Sequence, residues 1–209
     1  MLFSDREEAG RLLGEYVRQR VEGVDIVLGI PRGGVVVAKE VAKALGVSMG
    51  LLLVRKLGVP FNSELAFGAI DPDGHLYLDH AVVRYFRLSS RDIQKIAEKE
   101  LGHIRDREKK FGGLTAQVEN RAILVVDDGI ATGQTMLAGV EYLKRRGARK
   151  IMVAAPVCHK DSAERLRTHV DGVYCYHLSH DLPFAVGMFY RDFRQVEDAQ
   201  LQELLRNFE

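Results

Sequence analysis

Only two cysteines, Cys158 and Cys175, occur in 209 residues. They stand far apart with no C-x-x-C pair, which argues against a disulfide framework or a zinc site and for buried thiols in a reducing cytosol. Charge of one sign is also lacking. Lysine and arginine number 30 against 29 acidic residues, a formal net charge of +1, so the strong positive field of a dedicated nucleic-acid binder is missing. No apolar run approaches the roughly 20 residues that a bilayer crossing needs. The opening residues are acidic from Asp5 onward and have neither a basic start nor a continuous apolar stretch, so they do not read as a signal peptide. A soluble, cytoplasmic protein without membrane contact is expected. What the chain does have is apolar bulk, 46% of its residues, enough for one sizeable core and one domain with an appendage.

After a helix expected over about 5–21, short β-rich apolar runs at 25–30, 49–55, 121–127, 150–157 and 172–177 alternate with helical patterns. Runs this continuous are buried on both faces, as in a parallel sheet. Ala38, Val41, Ala42 and Leu45 recur at helical spacing between the first two, as do Met136, Leu137, Val140 and Leu143 before the stopping Gly147. The fold class is therefore α/β, built of βαβ units. Residues 58–113 break the alternation. Runs at 64–70 and 75–78 flank Asp71-Pro72-Asp73-Gly74 and read as an antiparallel hairpin. Ser89-Ser90-Arg91-Asp92 reads as a capping box opening a long charged helix with a narrow apolar stripe. Such a helix packs on one side and is solvated on the other; its stripe is also the one place that suggests a dimer contact.

The segment 123–135 runs from a buried strand into adjacent carboxylates, Asp127 and Asp128, then a small, hydroxyl-rich turn of Gly129, Ile130, Ala131, Thr132, Gly133, Gln134 and Thr135, then a helix. In an open α/β sheet, ligands bind beyond the carboxyl ends of the strands. Small residues let backbone N–H groups close around a phosphate, and the following helix adds its unpaired donors and dipole. The dipole alone contributes roughly 0.3–1 kcal/mol, so amides and the Thr132 and Thr135 hydroxyls must supply most of the binding. Two carboxylates beside a phosphate cradle would repel it unless aimed elsewhere, and a ribose cis-diol suits them as a donor of charge-assisted hydrogen bonds. A Walker A loop is excluded, because only three residues separate Gly129 from Gly133 and Gln134 follows in place of lysine. The G-x-G-x-x-G dinucleotide fingerprint is absent too.

This stretch resembles the phosphoribosylpyrophosphate signature of the type I phosphoribosyltransferases: an apolar run, two acidic residues, then T-G-x-T. The resemblance implies a Rossmann-like parallel sheet flanked by helices, with an inserted hairpin and helix and a small hood. It also implies that Asp127 and Asp128 bind the ribose hydroxyls of 5-phosphoribosyl-1-pyrophosphate and that 129–135 form the 5′-phosphate loop. Upstream, Gly29-Ile30-Pro31-Arg32-Gly33-Gly34 follows the first strand of the sheet, where the family carries its pyrophosphate loop. Glycines permit close backbone approach there and Arg32 offers a planar fork to phosphate oxygens. Arg55 and Lys56, at the end of the second apolar run, match the family's cations near the pyrophosphate; with Asp127 and Asp128 they are the catalytic candidates. The 58–113 insertion would hold a mobile lid. Magnesium is the implied cofactor, carried on the ligand's oxygens with few direct protein ligands. The acceptor is a nucleobase or related small molecule, and a homodimer is the implied assembly.

Ala131 stands where the hypoxanthine-guanine enzymes carry an aspartate, so it resembles the adenine and uracil enzymes; a general base, if needed, comes from elsewhere. Other signals have plainer readings. His177-x-x-His180 reads as an ordinary strand-end pair, Asp71 and Asp73 as turn residues, and Phe184, Met188, Phe189, Tyr190 and Phe193 as core packing that could extend into a hood. The runner-up is a ligand-sensing regulator that keeps the site without turnover, for which Arg105, Arg107, Lys109 and Lys110 would be the basic patch.

Overall fold

The computed structural model describes residues 2–111 and 118–206. A helix, α1 (Arg6–Arg18), opens the chain, with the Asp5 carboxylate accepting from the Glu8 amide as its cap. β1 (Ile26–Gly29) leads into α2 (Gly33–Leu45), which ends at Gly46 in the left-handed conformation, φ +66°. β2 (Ser48–Leu51) follows. β3 (Arg55–Val59), β4 (Asn62–Ile70) and β5 (Leu76–Leu78) come next, then the helices α3 (His80–Tyr85) and α4 (Ser90–Phe111). The second half alternates: β6 (Ala122–Val126), α5 (Gln134–Arg145), β7 (Lys150–His159), α6 (Lys160–Leu166) and β8 (Gly172–Ser179). It ends with a 3-10 turn at Val186–Phe189 and α7 (Asp198–Arg206).

Five of the strands form one parallel sheet in the order β2-β1-β6-β7-β8, flanked by helices as expected. Both faces are covered. On β6, Leu124 and Val126 join the core formed with α1 and α2, while Ile123 and Val125 join the core under α5 and α6. This two-sided burial is why the run has no polar alternation. The order reverses between β1 and β6, where Gly29 pairs with Val126. The turns leaving these two strands therefore emerge side by side at the switch point, where α/β sheets bind ligands.

The apolar run read as one strand over 49–55 is divided. β2 stops at Leu51, and Arg55 begins β3, which belongs to a separate antiparallel sheet of order β3-β4-β5. Leu52, Leu53 and Val54 between them are buried, so hydropathy carries no mark of the break. The hairpin turn and the capping box form as read: Asp92 and Ser89 exchange bonds at 3.0 and 3.1 Å. The cysteine reading is corrected. Cys158 and Cys175 are buried but joined as a disulfide, Cα–Cα 6.0 Å. They lie on adjacent parallel strands linked through α6, and that crossover brings together residues 17 apart in sequence. Among the described residues no helix is long and apolar enough to cross a membrane.

Candidate active site

The two turns at the switch point interlock. A Cβ built on Gly34 would stand 2.7 Å from Asp127 Oδ1 and 2.9 Å from its Cα, and one on Gly33 would collide with Asp128 Oδ2 and reach within 2.6 Å of Arg6 Nε. Only glycine allows this approach. The peptide between Pro31 and Arg32 is cis. The second turn is fastened to β7 on its far side: the Ile130 amide donates to Val157 O at 2.9 Å and its carbonyl accepts from the His159 amide at 2.8 Å. Further along, α6 holds the carbonyls of Ala131 and Thr132 through Ser162 Oγ, 2.5 Å, and Arg165 Nη2, 2.6 Å. With these oxygens drawn toward α6, the left-handed Gly133, φ +76°, starts α5, whose first-turn N–H groups have no partner inside the helix.

The adjacent carboxylates differ in their surroundings. Asp127 Oδ1 accepts from the Asp128 amide at 2.8 Å, yet burial, and after it the charge of Asp128, holds the Asp127 carboxyl well above the ordinary carboxylate range. Asp128 Oδ2 accepts from Arg6 Nε at 2.7 Å in a pair whose side chains are 16% and 11% exposed. Arg6 also donates from Nη1 to Arg194 O at 2.8 Å and lies 3.9 Å over the Phe193 ring. The Tyr190 hydroxyl, buried and raised in pKa chiefly by that burial, donates to Asp128 O at 2.6 Å. Val186 closes over Gly129, within 2.6 Å of where a Cβ would stand. The segment from Phe184 to Arg194 is thus a hood seated on Asp128 and Gly129, pinned to the N-terminus by the Phe3–Tyr190 bridge.

The arginine candidates take partners on other elements, although Arg32 stands within the glycine turn. Arg32 faces Asp198 of α7, Nη1 to Oδ1 3.9 Å, and donates at 3.3 Å to the Gln195 side-chain oxygen in the orientation its surroundings require. Arg55 turns to α4, donating from Nε to Glu100 Oε2 at 2.7 Å with Nη2 3.4 Å from His103 Nδ1. Burial opposes ionisation of Glu100, but the Arg55 and His103 partners hold its pKa below normal. Lys56 is exposed on β3. His177 lies against the Phe189 ring at 5.7 Å, and Phe184 contacts both Phe189 and His159.

Asp71, Asp73 and His75 are the one group among the described residues whose ligand atoms converge within 4.8 Å. It does not suit a metal. Asp71 Oδ1 accepts the amides of Asp73 and His75 at 2.9 and 3.0 Å, and Oδ2 is taken by the Tyr77 hydroxyl at 3.2 Å and by Arg145. These are the bonds of a turn locked onto α5, matching the turn reading.

Arg6 and Tyr190 are the functional neighbours that sequence patterns miss. Arg6 is one arginine on an ordinary amphipathic helix, 122 residues from its partner. Tyr190 is marked only by its place in an aromatic cluster.

The phosphoribosyl transferase domain family matches residues 5–190. A Mycobacterium tuberculosis protein named "Putative phosphoribosyl transferase" is 41% identical over 206 residues, covering 98% of this chain and 46% of that protein, so the chain spans about half the length of this relative. Crystal structures agree in fold: the Thermus thermophilus protein TT1426 is 36% identical with a TM-score of 0.72, covering 100% of this chain and 99% of that one. A purine phosphoribosyltransferase from Pyrococcus horikoshii, at 15% identity and a TM-score of 0.51 over 91% of each chain, shares the fold alone. With the signature turn, the glycine turn and the parallel sheet all within the matched residues, this chain belongs to the phosphoribosyl transferase domain family.

Proposed function

We propose that the chain binds 5-phosphoribosyl-1-pyrophosphate and transfers its phosphoribosyl group to a nucleobase or related small acceptor, releasing pyrophosphate. The observation that carries this reading is the interlock of Gly33 and Gly34 with Asp128 and Asp127. It holds the turn 129–135, two adjacent carboxylates and the glycine turn side by side, which supports one ligand with a phosphate, a ribose diol and a pyrophosphate. In this reading 129–135 cradle the 5′-phosphate, Asp127 and Asp128 take the ribose hydroxyls, and Pro31 to Gly34 line the pyrophosphate.

Substitution at the anomeric carbon develops positive charge on the ribose ring, and the residues suit that change. A carboxylate beside the ring attracts that charge more strongly as it develops, and the burial that holds Asp127 above its normal range also keeps water from screening the attraction. Its interaction therefore strengthens toward the transition state. Arg6 and Tyr190 fix Asp128 from opposite ends, its carboxylate and its carbonyl, which serves orientation. Magnesium carried on the ligand would offset the charge of the departing pyrophosphate, and Asp127 and Asp128 are hard oxygen donors compatible with it. The turn between β3 and β4, whose Phe61 is wholly exposed, is the segment we assign to a lid. The hood aromatics Phe184 and Phe189 suit a flat acceptor ring.

Calorimetric titration of 5-phosphoribosyl-1-pyrophosphate with magnesium into the wild type and Asp127→Asn/Asp128→Asn, then a pyrophosphate-release screen across purine and pyrimidine bases, tests this. Binding that the double variant loses, with release for one base, is the expected result. Binding without release for any acceptor would shift the reading to a ligand sensor, and no binding by the wild type would overturn it.

A further inference from the structure

Charged and polar side chains line one face of α4 and meet Arg55 and the Asp198 partner of Arg32 there. Glu100, His103, Arg107 and Lys110 follow one another at spacings of three, four and three residues, which puts them on a common face of a helix. The first two take Arg55, at 2.7 and 3.4 Å. The last, through Nζ, takes Asp198 Oδ2 at 3.0 Å, and the other oxygen of Asp198 faces Arg32 at 3.9 Å. Arg107 thus lies on the stretch of helix between the contact to Arg55 and the contact to Asp198, half-buried. Burial first, then the like charges of Arg55 and Arg32, lower the pKa of its guanidinium, against the pull of Asp198 and Glu100.

Structural ion-pair networks match their signs. This one gathers four cations, Arg32, Arg55, Arg107 and Lys110, around two carboxylates, Glu100 and Asp198. Its central carboxylate is also poorly served: Asp198 Oδ1 is buried and has no hydrogen-bond partner among the described residues, an arrangement that costs free energy. A multiply charged anion with more oxygens would satisfy the guanidiniums better than one carboxylate can.

We infer that Arg107 is a third anion-binding guanidinium that works with Arg32 and Arg55 on the pyrophosphate end of the ligand, and that Asp198 is the internal carboxylate which that anion replaces. The inference rests on the phosphoribosyl reading of the site. It gives the charged helix a role beyond solvation and gives α7 an effect on affinity: the negative charge at its first residue competes with the ligand.

Inorganic pyrophosphate and, separately, ribose 5-phosphate, each with magnesium, are titrated calorimetrically into wild type, Arg107→Gln, Arg107→Lys and Asp198→Asn. Arg107→Gln should weaken pyrophosphate by about tenfold or more. Ribose 5-phosphate, which lacks the pyrophosphate that Arg107 is assigned to hold, should stay within about twofold. Arg107→Lys should recover part of the loss by restoring the charge, and Asp198→Asn should tighten pyrophosphate on the order of fivefold by removing a competing charge. Unchanged pyrophosphate affinity in Arg107→Gln, or weaker rather than tighter binding in Asp198→Asn, would overturn the inference. Wild type that binds ribose 5-phosphate but not pyrophosphate would overturn it alone; wild type that binds neither would overturn the phosphoribosyl reading with it.

Discussion

Asp127 and Asp128 are neighbours with the same side chain, and the structure requires their replacement by asparagine to act on stability in opposite directions. Asp127 is held protonated above its ordinary value of 3.8 by burial and by the charge of Asp128. The folded protein therefore binds that proton more tightly than the unfolded chain does. Its contribution to stability is full below the unfolded value and is lost as pH rises through the folded one. Each pH unit traversed between the two values removes about 1.4 kcal/mol. The side-chain amide in Asp127→Asn would keep an oxygen to accept the Asp128 amide and would carry no charge to desolvate, so this variant should stabilise the ligand-free protein at pH 8. For a chain of this length a gain of 1 kcal/mol corresponds to roughly 2–4 °C in Tm, and the gain should fade toward pH 4. Asp128→Asn removes the charged partner of Arg6 from a pair that is nearly buried, 11% and 16% exposed. Leaving a cation without its counter-ion there should cost about 3 kcal/mol. Thermal melts of the two single variants from pH 4 to pH 8, without ligand, read both effects. Changes of the same sign in both variants, or an Asp127→Asn gain that is flat across pH, would refute the assignment of burial as the dominant influence on Asp127.

Gly34→Ala puts a methyl 2.7 Å from Asp127 Oδ1 and 2.9 Å from its backbone, so it should part the two turns and abolish 5-phosphoribosyl-1-pyrophosphate binding in calorimetry while the far-ultraviolet circular dichroism stays unchanged. Arg145→Ala leaves the fully buried Asp71 carboxylate without its cation and should destabilise the protein by about 3 kcal/mol in denaturant unfolding. A thiol assay on the unfolded, unreduced protein should find no free cysteine. Reduction should lower stability by about 3 kcal/mol for a closed loop of this size, the two cysteines being 17 residues apart.

The sheet was legible because its strands are buried on both faces and leave unbroken apolar runs, and the phosphate turn because its chemistry is local: strand, two acids, small residues and helix lie within 13 consecutive positions of the sequence. What could not be read depends on contacts distant in sequence. Arg6 reaches Asp128 because α1 packs on α2 and the Phe3–Tyr190 bridge holds the N-terminus against the hood. Cys158 meets Cys175 only because a parallel crossover returns the chain beside itself. The break between β2 and β3 was hidden for the opposite reason: Leu52 to Val54 are as buried as the strands they join. Periodicity records burial, and burial continues through a change of sheet.

The ligand-free site keeps like charges together in two places. Asp127 and Asp128 share one turn, and the glycine turn with α4 collects guanidiniums around Glu100 and Asp198, the latter with one oxygen unpartnered among the described residues. Each arrangement opposes folding, since the acids repel at the first and the cations at the second. Both would be relieved together by a ligand that presents hydroxyls to one and a polyanion to the other. A molecule with only a phosphate, or only a sugar, would relieve one and leave the second standing. The intact ligand should therefore bind more tightly than ribose 5-phosphate or pyrophosphate and at equal concentration stabilise the protein more than either, a difference that thermal shifts with the three compounds would measure directly.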